Sequence, residues 1–146
     1  MSYWDTSALV KLYVQEADSS AFEAHAVNIS GPLVISHIAL YEARATFRRK
    51  EAEGGLATGM ADVLYIQMLQ DAYQGELLLV ELGADVERQY GEVLNLCYGR
   101  NPVIPVRTLD ALHLASARGV GDKEIVATDK RMRDAAQVLG FSTFPV

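Results

Sequence analysis

Three observations predict an α/β fold of three layers, with helices on both faces of a central, mainly parallel sheet. Short apolar runs alternate along the chain with longer stretches of helical spacing. The runs themselves, such as Leu33-Val34-Ile35, Leu77-Leu78-Leu79-Val80 and Ile125-Val126-Ala127, are continuous rather than alternating, as strands covered on both faces are. Two of them also end alike. Tyr3-Trp4 runs into Asp5-Thr6-Ser7, and Ile125-Val126-Ala127 runs into Thr128-Asp129, each with a helix-like stretch directly after. In a parallel sheet the strand exits lie along one edge, and ligands bind in the crevice there. Two carboxylates placed this way can meet in one pocket.

With 146 residues and no linker, residues 1–146 are expected to form one domain that buries a real core. After the first strand, a helix is expected from about Ser7 to Gln15. Ser20 and Glu23 have capping-box spacing and open a second short helix through about Val27. Gly31-Pro32 breaks the chain before the strand Leu33-Val34-Ile35. Ser36 can cap a long helix to about Glu53, stopped by Gly54-Gly55. Thr58 can start another, to about Tyr73, ended by Gly75. The run from Leu77 to Leu82 is a third strand, and Asp85 to Tyr98 a further helix. A loop from Gly99 to Pro105 leads to Thr108, which can cap a helix through Arg118 with Gly119 as its stop. The strand near Ile125, a last helix over Arg131 to Leu139 and a terminal strand Ser142-Thr143-Phe144 finish the chain.

Half of the residues are apolar and nothing is repeated, which predicts an ordered globule. No apolar run is long enough to cross a bilayer, and no signal peptide is visible, so the cytoplasm is the expected address. The single cysteine, Cys97, excludes an internal disulfide and a cysteine zinc cluster; its apolar neighbours make it a core residue. The net charge of −6 argues against holding nucleic acid by bulk electrostatics. That argument weakens if several of the 19 acids share a metal site, since 13 Lys plus Arg then nearly balance the remainder.

Two further acids stand out. Glu42 lies in the helix after the second strand with Ile38, Ala45 and Thr46 one turn away, a largely apolar or small face. Asp110 sits in the first turn of Thr108-Leu109-Asp110-Ala111-Leu112-His113-Leu114-Ala115, a stretch apolar almost all round and therefore buried. A buried, unpaired carboxylate is costly or takes up a proton, but converging carboxylates are tolerated around a divalent cation. Oxygen donors suit hard cations, so Mg²⁺ or Mn²⁺ is expected. Each acid also has a plainer role. Asp5 and Asp129 can cap helices, with Thr128 competing for the second cap. Asp110 can complement a helix dipole, and Glu42 can be a partly solvated helix residue. Four such coincidences, three at one sheet edge, favour a shared site.

The histidines fit catalysis poorly. His113 lies in the apolar helix, where a core hydrogen bond is its expected role; His37 is near a helix start and His25 at the surface. Arg44, Arg48, Arg49 and Lys50 form the densest basic cluster, on the helix carrying Glu42. They either complement that helix end or guide phosphates toward the acids. Arg100 and Arg107, flanking the proline-containing loop, are a second pair.

Asp5-Thr6-Ser7-Ala8-Leu9-Val10-Lys11-Leu12-Tyr13, Ser36 with Glu42-Ala43, Gly54-Gly55-Leu56, Asp110-Ala111-Leu112-His113-Leu114-Ala115, and Thr128-Asp129-Lys130-Arg131-Met132 with Ala135-Ala136 and Gly140 together resemble a PIN domain. More narrowly, they resemble the VapC-type toxin ribonucleases of prokaryotic toxin–antitoxin pairs, over essentially the whole chain and in order. The resemblance implies the PIN-like form of the three-layer fold and a Mg²⁺- or Mn²⁺-dependent endoribonuclease that leaves 5′-phosphate and 3′-hydroxyl ends. It implies that Asp5, Asp110 and Asp129 hold metal, that Glu42 binds metal through water or orients the attacking water, and that the Ser7 hydroxyl positions a ligand or phosphate oxygen. Arg44, Arg48, Arg49 and Arg107 become candidate contacts to RNA. A cognate VapB-like antitoxin occupying the acidic groove and a homodimer are also implied, with the apolar face Met60-Val63-Leu64-Gln67-Met68 available to either or simply to the core.

Two positions depart from the family pattern. Ala127 stands where a threonine is frequent, with Thr128 shifted next to Asp129, which puts any role of that hydroxyl in question. Trp4 replaces a smaller aliphatic, implying altered packing behind the site. The remaining readings are a PIN nuclease of RNA processing, a phosphatase or DNA-directed nuclease, and a non-catalytic PIN-like binding module. An aspartyl-phosphate phosphatase would carry a second Asp two residues after Asp5, where Ser7 stands. A module without catalysis would be expected to have lost one of the four acids.

Overall fold

The computed structural model describes residues 1–146. β1 (Ser2–Trp4) leads to α1 (Thr6–Val10), α2 (Ser19–Val27) and β2 (Leu33–Ser36). α3 (Ile38–Ala52) and α4 (Met60–Tyr73) precede β3 (Leu77–Val80), and α5 (Ala84–Tyr98) and α6 (Thr108–Val120) precede β4 (Glu124–Val126). α7 (Lys130–Val138) and β5 (Ser142–Phe144) end the chain. The strands form one sheet in the order β3-β2-β1-β4-β5, with every pairing parallel. The expected α/β layering is therefore present.

From β1 the chain steps outward through β2 to β3, then returns to the other side of β1 for β4 and β5. This reversal makes the β1/β4 junction the switch point, where the connections leave in opposite directions and a crevice opens beyond the strand ends. Successive strand residues face opposite sides. Tyr3, Val34, Ile125 and Ala127 enter the core beneath α5, α6 and α7. Trp4, Ile35 and Val126 enter the core beneath α1, α3 and α4. Trp4 and Phe47 are wholly buried, and truncating a buried aromatic side chain of this kind costs about 3–5 kcal/mol. The indole N–H of Trp4 has no partner there, the packing consequence of a large ring behind the strand. Double coverage fails at the two edge strands, where Leu78 of β3 and Ser142 of β5 are exposed.

Several helix ends differ from expectation, and at α4 a side chain from elsewhere does the capping. α1 stops at Val10 rather than Gln15. Ser20 lies inside α2; the preceding Ser19 hydroxyl instead accepts from the Glu16 N–H at 2.9 Å and donates to the Val14 carbonyl at 3.0 Å. Ser36 ends β2, and its hydroxyl accepts from Ile38 N–H at 3.3 Å while His37 takes the cap position. Thr58 does not cap α4: Gly59 turns the chain at φ 88°, and the Glu51 carboxylate accepts from Ala61 N–H at 3.0 Å. Thr108 is the first residue within α6, with Arg107 at the cap. That helix runs past Gly119 to Val120, because Gly121, at φ 74°, is the residue that adopts the left-handed turn.

The α4 stripe divides in two. Met68 is buried and Leu64 packs on the core, whereas Val63, Ile66, Leu69 and Tyr73 are exposed. Cys97 is buried and free, as a core residue should be. His25 is not a free surface residue: its ring stacks on Phe144 with centroids 3.9 Å apart, and Nε2 lies 2.9 Å from Glu124. No helix is long and apolar enough to cross a membrane.

Candidate functional site

At the switch point, Asp5, Glu42, Asp110 and Asp129 line one cleft of ≈ 350 Å³ together with Ser7 and Thr128. The five residues nominated from sequence for catalysis, Asp5, Ser7, Glu42, Asp110 and Asp129, are thus brought together. Of the 14 residues that line the cleft, only Val10 is apolar, so it is built for a charged or strongly hydrated ligand rather than an apolar one.

Asp5 leaves β1 where the strand ladder ends. Its amide donates to the Val126 carbonyl at 2.9 Å. Its side chain caps α1, with Oδ1 accepting from Thr6 N–H at 2.9 Å and Oδ2 from the Ser7 hydroxyl at 2.9 Å. Asp129 likewise caps α7 through a 2.9 Å bond from Arg131 N–H. The plainer capping role and the site role therefore coexist in both residues. Burial pushes the Asp5 carboxyl above the usual carboxylate range; His113 and Ser7 oppose the shift, while Glu42 and Asp110 add to it. A carboxylate in this state is short of positive charge.

Glu42 is held through one oxygen. Oε1 accepts from the Thr6 hydroxyl at 2.8 Å and faces His113 Nε2 at 2.6 Å. Burial would raise the Glu42 pKa, but the hydrogen bond and charge of His113, with the Thr6 hydroxyl, outweigh it and hold the carboxyl low. His113 is buried, and its Nδ1 meets the Tyr3 hydroxyl at 2.6 Å. Burial would lower its pKa, yet Glu42, Asp5 and Asp110 together raise it. The expected core hydrogen bond of His113 exists, but it is part of the site's support. Sequence reasoning missed Thr6 and Tyr3 in this role. The spacing of Asp110 and His113, three residues apart and so on one helix face, was a usable signal.

The basic residues sort by distance from the acids. Arg107 spans two of them, with Nε 3.1 Å from Asp110 Oδ2 and Nη2 3.4 Å from Asp129 Oδ2. Arg49 and Lys50 line the cleft, as does Lys11, which sequence reasoning did not nominate. Lys11 and Lys50 share Glu16 at 3.3 and 3.1 Å. Arg44 and Arg48 turn away: Arg44 lies 4.7 Å over the Tyr65 ring, and Arg48 lies 3.9 Å from Asp62 on α4. Helical geometry separates them from Arg49 and Lys50, so the cluster is two faces and not one. Arg100 does not line the cleft.

Thr128 lines the cleft, while Ala127 packs into the core beneath α7. Arg133 holds this corner, donating to the carbonyls of Ala127 and Thr128 at 2.9 and 2.8 Å.

The donors around the cleft are carboxylate and hydroxyl oxygens, with the one nearby imidazole buried and committed to Tyr3 and Glu42. This set fits a hard divalent cation, and the buried Asp5 supplies charge to attract it. As they stand, no three acidic or imidazole groups close on a common point: Arg107 occupies Asp110 and Asp129, and His113 occupies Glu42.

A family model described as PIN domain matches residues 2–138. The chain is 35% identical over 142 residues to Ribonuclease VapC46 of Mycobacterium tuberculosis, covering 96% of this chain and 93% of that protein. Among solved structures, FitAcB from Neisseria gonorrhoeae superposes with a TM-score of 0.71 at 17% identity, over 99% of this chain and 96% of that one. VapC20 of Mycobacterium tuberculosis, a toxin that cleaves the sarcin-ricin loop, gives 0.67 at 20% identity over 92% and 95%. VapBC2 from Rickettsia felis, bound to a promoter DNA fragment, gives 0.64 at 16% identity over 98% and 97%.

Proposed function

The chain belongs to the PIN-domain family as a VapC-type ribonuclease, and from that premise we propose that Asp5, Glu42, Asp110 and Asp129 form its catalytic site around Mg²⁺ or Mn²⁺. One observation carries the assignment: four acids from four separate elements line a single polar cleft at the sheet's switch point, and the most buried of them is short of positive charge. Asp5, Asp110 and Asp129 would hold the ion, with Ser7 fixing the Asp5 carboxylate. When bound, such an ion lowers the pKa of a water and neutralises charge on the phosphate.

The chain's own groups do the rest. Glu42 keeps Oε1 on Thr6 and His113, and Oε2, which has no protein partner, orients the attacking water and takes its proton. Lys11, Arg49 and Lys50, which line the same cleft, hold the RNA phosphates, and splayed single-stranded bases supply specificity through shape. The domain spans residues 1–146 and works in the cytoplasm. Its partner is a VapB-like antitoxin that presents a basic side chain to the acidic cleft, and a second copy of the chain covers the exposed α4 face of Val63, Ile66, Leu69 and Tyr73.

Incubation with structured RNA in Mn²⁺ and in chelator tests the reading. Cleavage confined to Mn²⁺, with 5′-phosphate ends and loss in Asp110→Asn, is expected. Cleavage that persists in chelator would defeat it.

A further inference from the structure

Behind Glu42 lies a chain of buried polar groups that no substrate can touch. The Tyr3 hydroxyl accepts from the Ser36 N–H at 3.1 Å and meets His113 Nδ1 at 2.6 Å. On its other side, His113 Nε2 meets Glu42 Oε1 at 2.6 Å. The His113 side chain is 1% exposed, and Tyr3 is wholly buried. We propose that Tyr3 and His113 are positioning residues for RNA cleavage, a relay that fixes the Glu42 carboxylate with Oε1 spent on protein donors and Oε2 turned to the reaction; this rests on the role given to Glu42 above.

The direction of the hydrogen bonds follows from the backbone. Ser36 N–H can only donate, so it takes one lone pair of the Tyr3 oxygen; toward a neutral ring the phenolic hydrogen then points at Nδ1, and toward a charged ring the other lone pair accepts from Nδ1–H. A neutral ring that accepts at Nδ1 carries its hydrogen on Nε2. A charged ring carries one there too. In either charge state, Nε2–H donates to Glu42, and the Thr6 hydroxyl donates to the same oxygen at 2.8 Å. Two donors on Oε1 stop the carboxylate from rotating or exchanging its oxygens. A neutral Nδ1–H ring would instead present a lone pair to a carboxylate, so the Tyr3 hydroxyl and the Glu42 carboxylate select the same Nε2–H ring from its two sides. The β1 register enforces the arrangement: Tyr3 pairs with Ile125 and Val34 and points to the α6 side, where its hydroxyl meets His113.

Partners behind a first layer of ligands typically change activity 10–100-fold when removed. In Mn²⁺-dependent RNA cleavage, His113→Leu is expected to lower kcat by roughly 30-fold, with KM moving less than about 3-fold. His113→Gln, which can set an amide donor near the Nε2 position, should recover most of that loss. Tyr3→Phe, which keeps the ring in the core, should lower kcat by about 10-fold. Independently of activity, long-range ¹H–¹⁵N spectra of the histidine rings, with His113→Gln for assignment, should show His113 protonated at Nε2 in the wild type. In Tyr3→Phe at high pH they should show a mixture of Nδ1–H and Nε2–H forms. Equal kcat in folded His113→Gln and His113→Leu, a loss confined to KM, or a wild-type ring protonated at Nδ1 alone would each overturn the proposal. A wild type that cleaves no RNA defeats the ribonuclease reading instead, and the ring spectra still decide the relay.

Discussion

The amide of Asp5 donates to the carbonyl of Val126 at 2.9 Å, so the first carboxylate of the site hangs on the last rung of the ladder that leads to Asp129. Sheet pairing, not side-chain attraction, brings the two acids to one cleft. The consequence is a stability penalty stored at Asp5, whose carboxyl is raised by burial. Below the ordinary carboxylate value, near 3.9, Asp5 is protonated in both folded and unfolded chains. Stability that comes from its proton is then lost as pH rises through the raised folded value. Asn carries no charge, so Asp5→Asn in chelator should melt roughly 2–6 °C above the wild type at pH 7.5. The gap should shrink toward pH 4, and cleavage should be lost at every pH. A variant no more stable than the wild type at pH 7.5 would contradict the buried-charge argument.

Arg107 is the cation that Asp110 and Asp129 share, and those carboxylates raise its already high pKa. Its side chain is 69% exposed, so the pairing is weak and screened by salt. Arg107→Ala should bind Mn²⁺ more tightly, by roughly two- to fivefold at low salt and less at high salt. Calorimetric titration at two ionic strengths measures this; weaker binding in the variant would mean that Arg107 supports the metal site rather than competing for it.

Lys11, Arg49 and Lys50 face the cleft, whereas Arg44 and Arg48 face α4. Removing a phosphate contact weakens binding across sequences and lowers the salt slope by about one. Lys11→Ala, Arg49→Ala and Lys50→Ala should each raise the Kd for RNA several-fold in this way. Arg44→Ala and Arg48→Ala should leave it within about twofold. Filter binding of a catalytically silent Asp110→Asn background over a salt series reads both outcomes.

Against burial, the hydrogen bond and charge of His113, with the Thr6 hydroxyl, hold the Glu42 carboxyl below the usual carboxylate range, so it stands ionised with Oε2 free to receive a proton. Glu42→Gln should reduce kcat about 10²–10⁴-fold while RNA binding is retained. Activity within threefold of wild type would assign the proton to another acceptor.

Much of this site was legible in the chain itself. Asp5 and Asp129 were visible because strand exits in a parallel sheet share an edge, and Asp110 because an acid in an otherwise apolar helix needs a partner, although complementing the helix dipole was an equal alternative. Glu42 was placed by its small-residue face. Distances across the fold were not legible. Nothing local tells that Arg49 faces the cleft while Arg48 reaches Asp62, since neighbouring residues on a helix diverge by about 100°. Tyr3 read as a core aromatic, and only the β1 register shows which partner its hydroxyl meets. Thr58, Ser20 and Thr108 looked like caps by spacing, but Gly59, Asp18 and Arg107 stand at those positions, and at α4 the remote Glu51 carboxylate takes the free Ala61 N–H.

Titration of Mn²⁺ into the wild type, Asp5→Asn, Asp110→Asn and Asp129→Asn, followed by heat release and by melting temperature, addresses the shared cation site itself. Saturable binding that stabilises the wild type and weakens at least tenfold in each variant is the expected result. Equal Mn²⁺ binding by the wild type and all three variants, or none by any, would mean that these carboxylates do not act as one site.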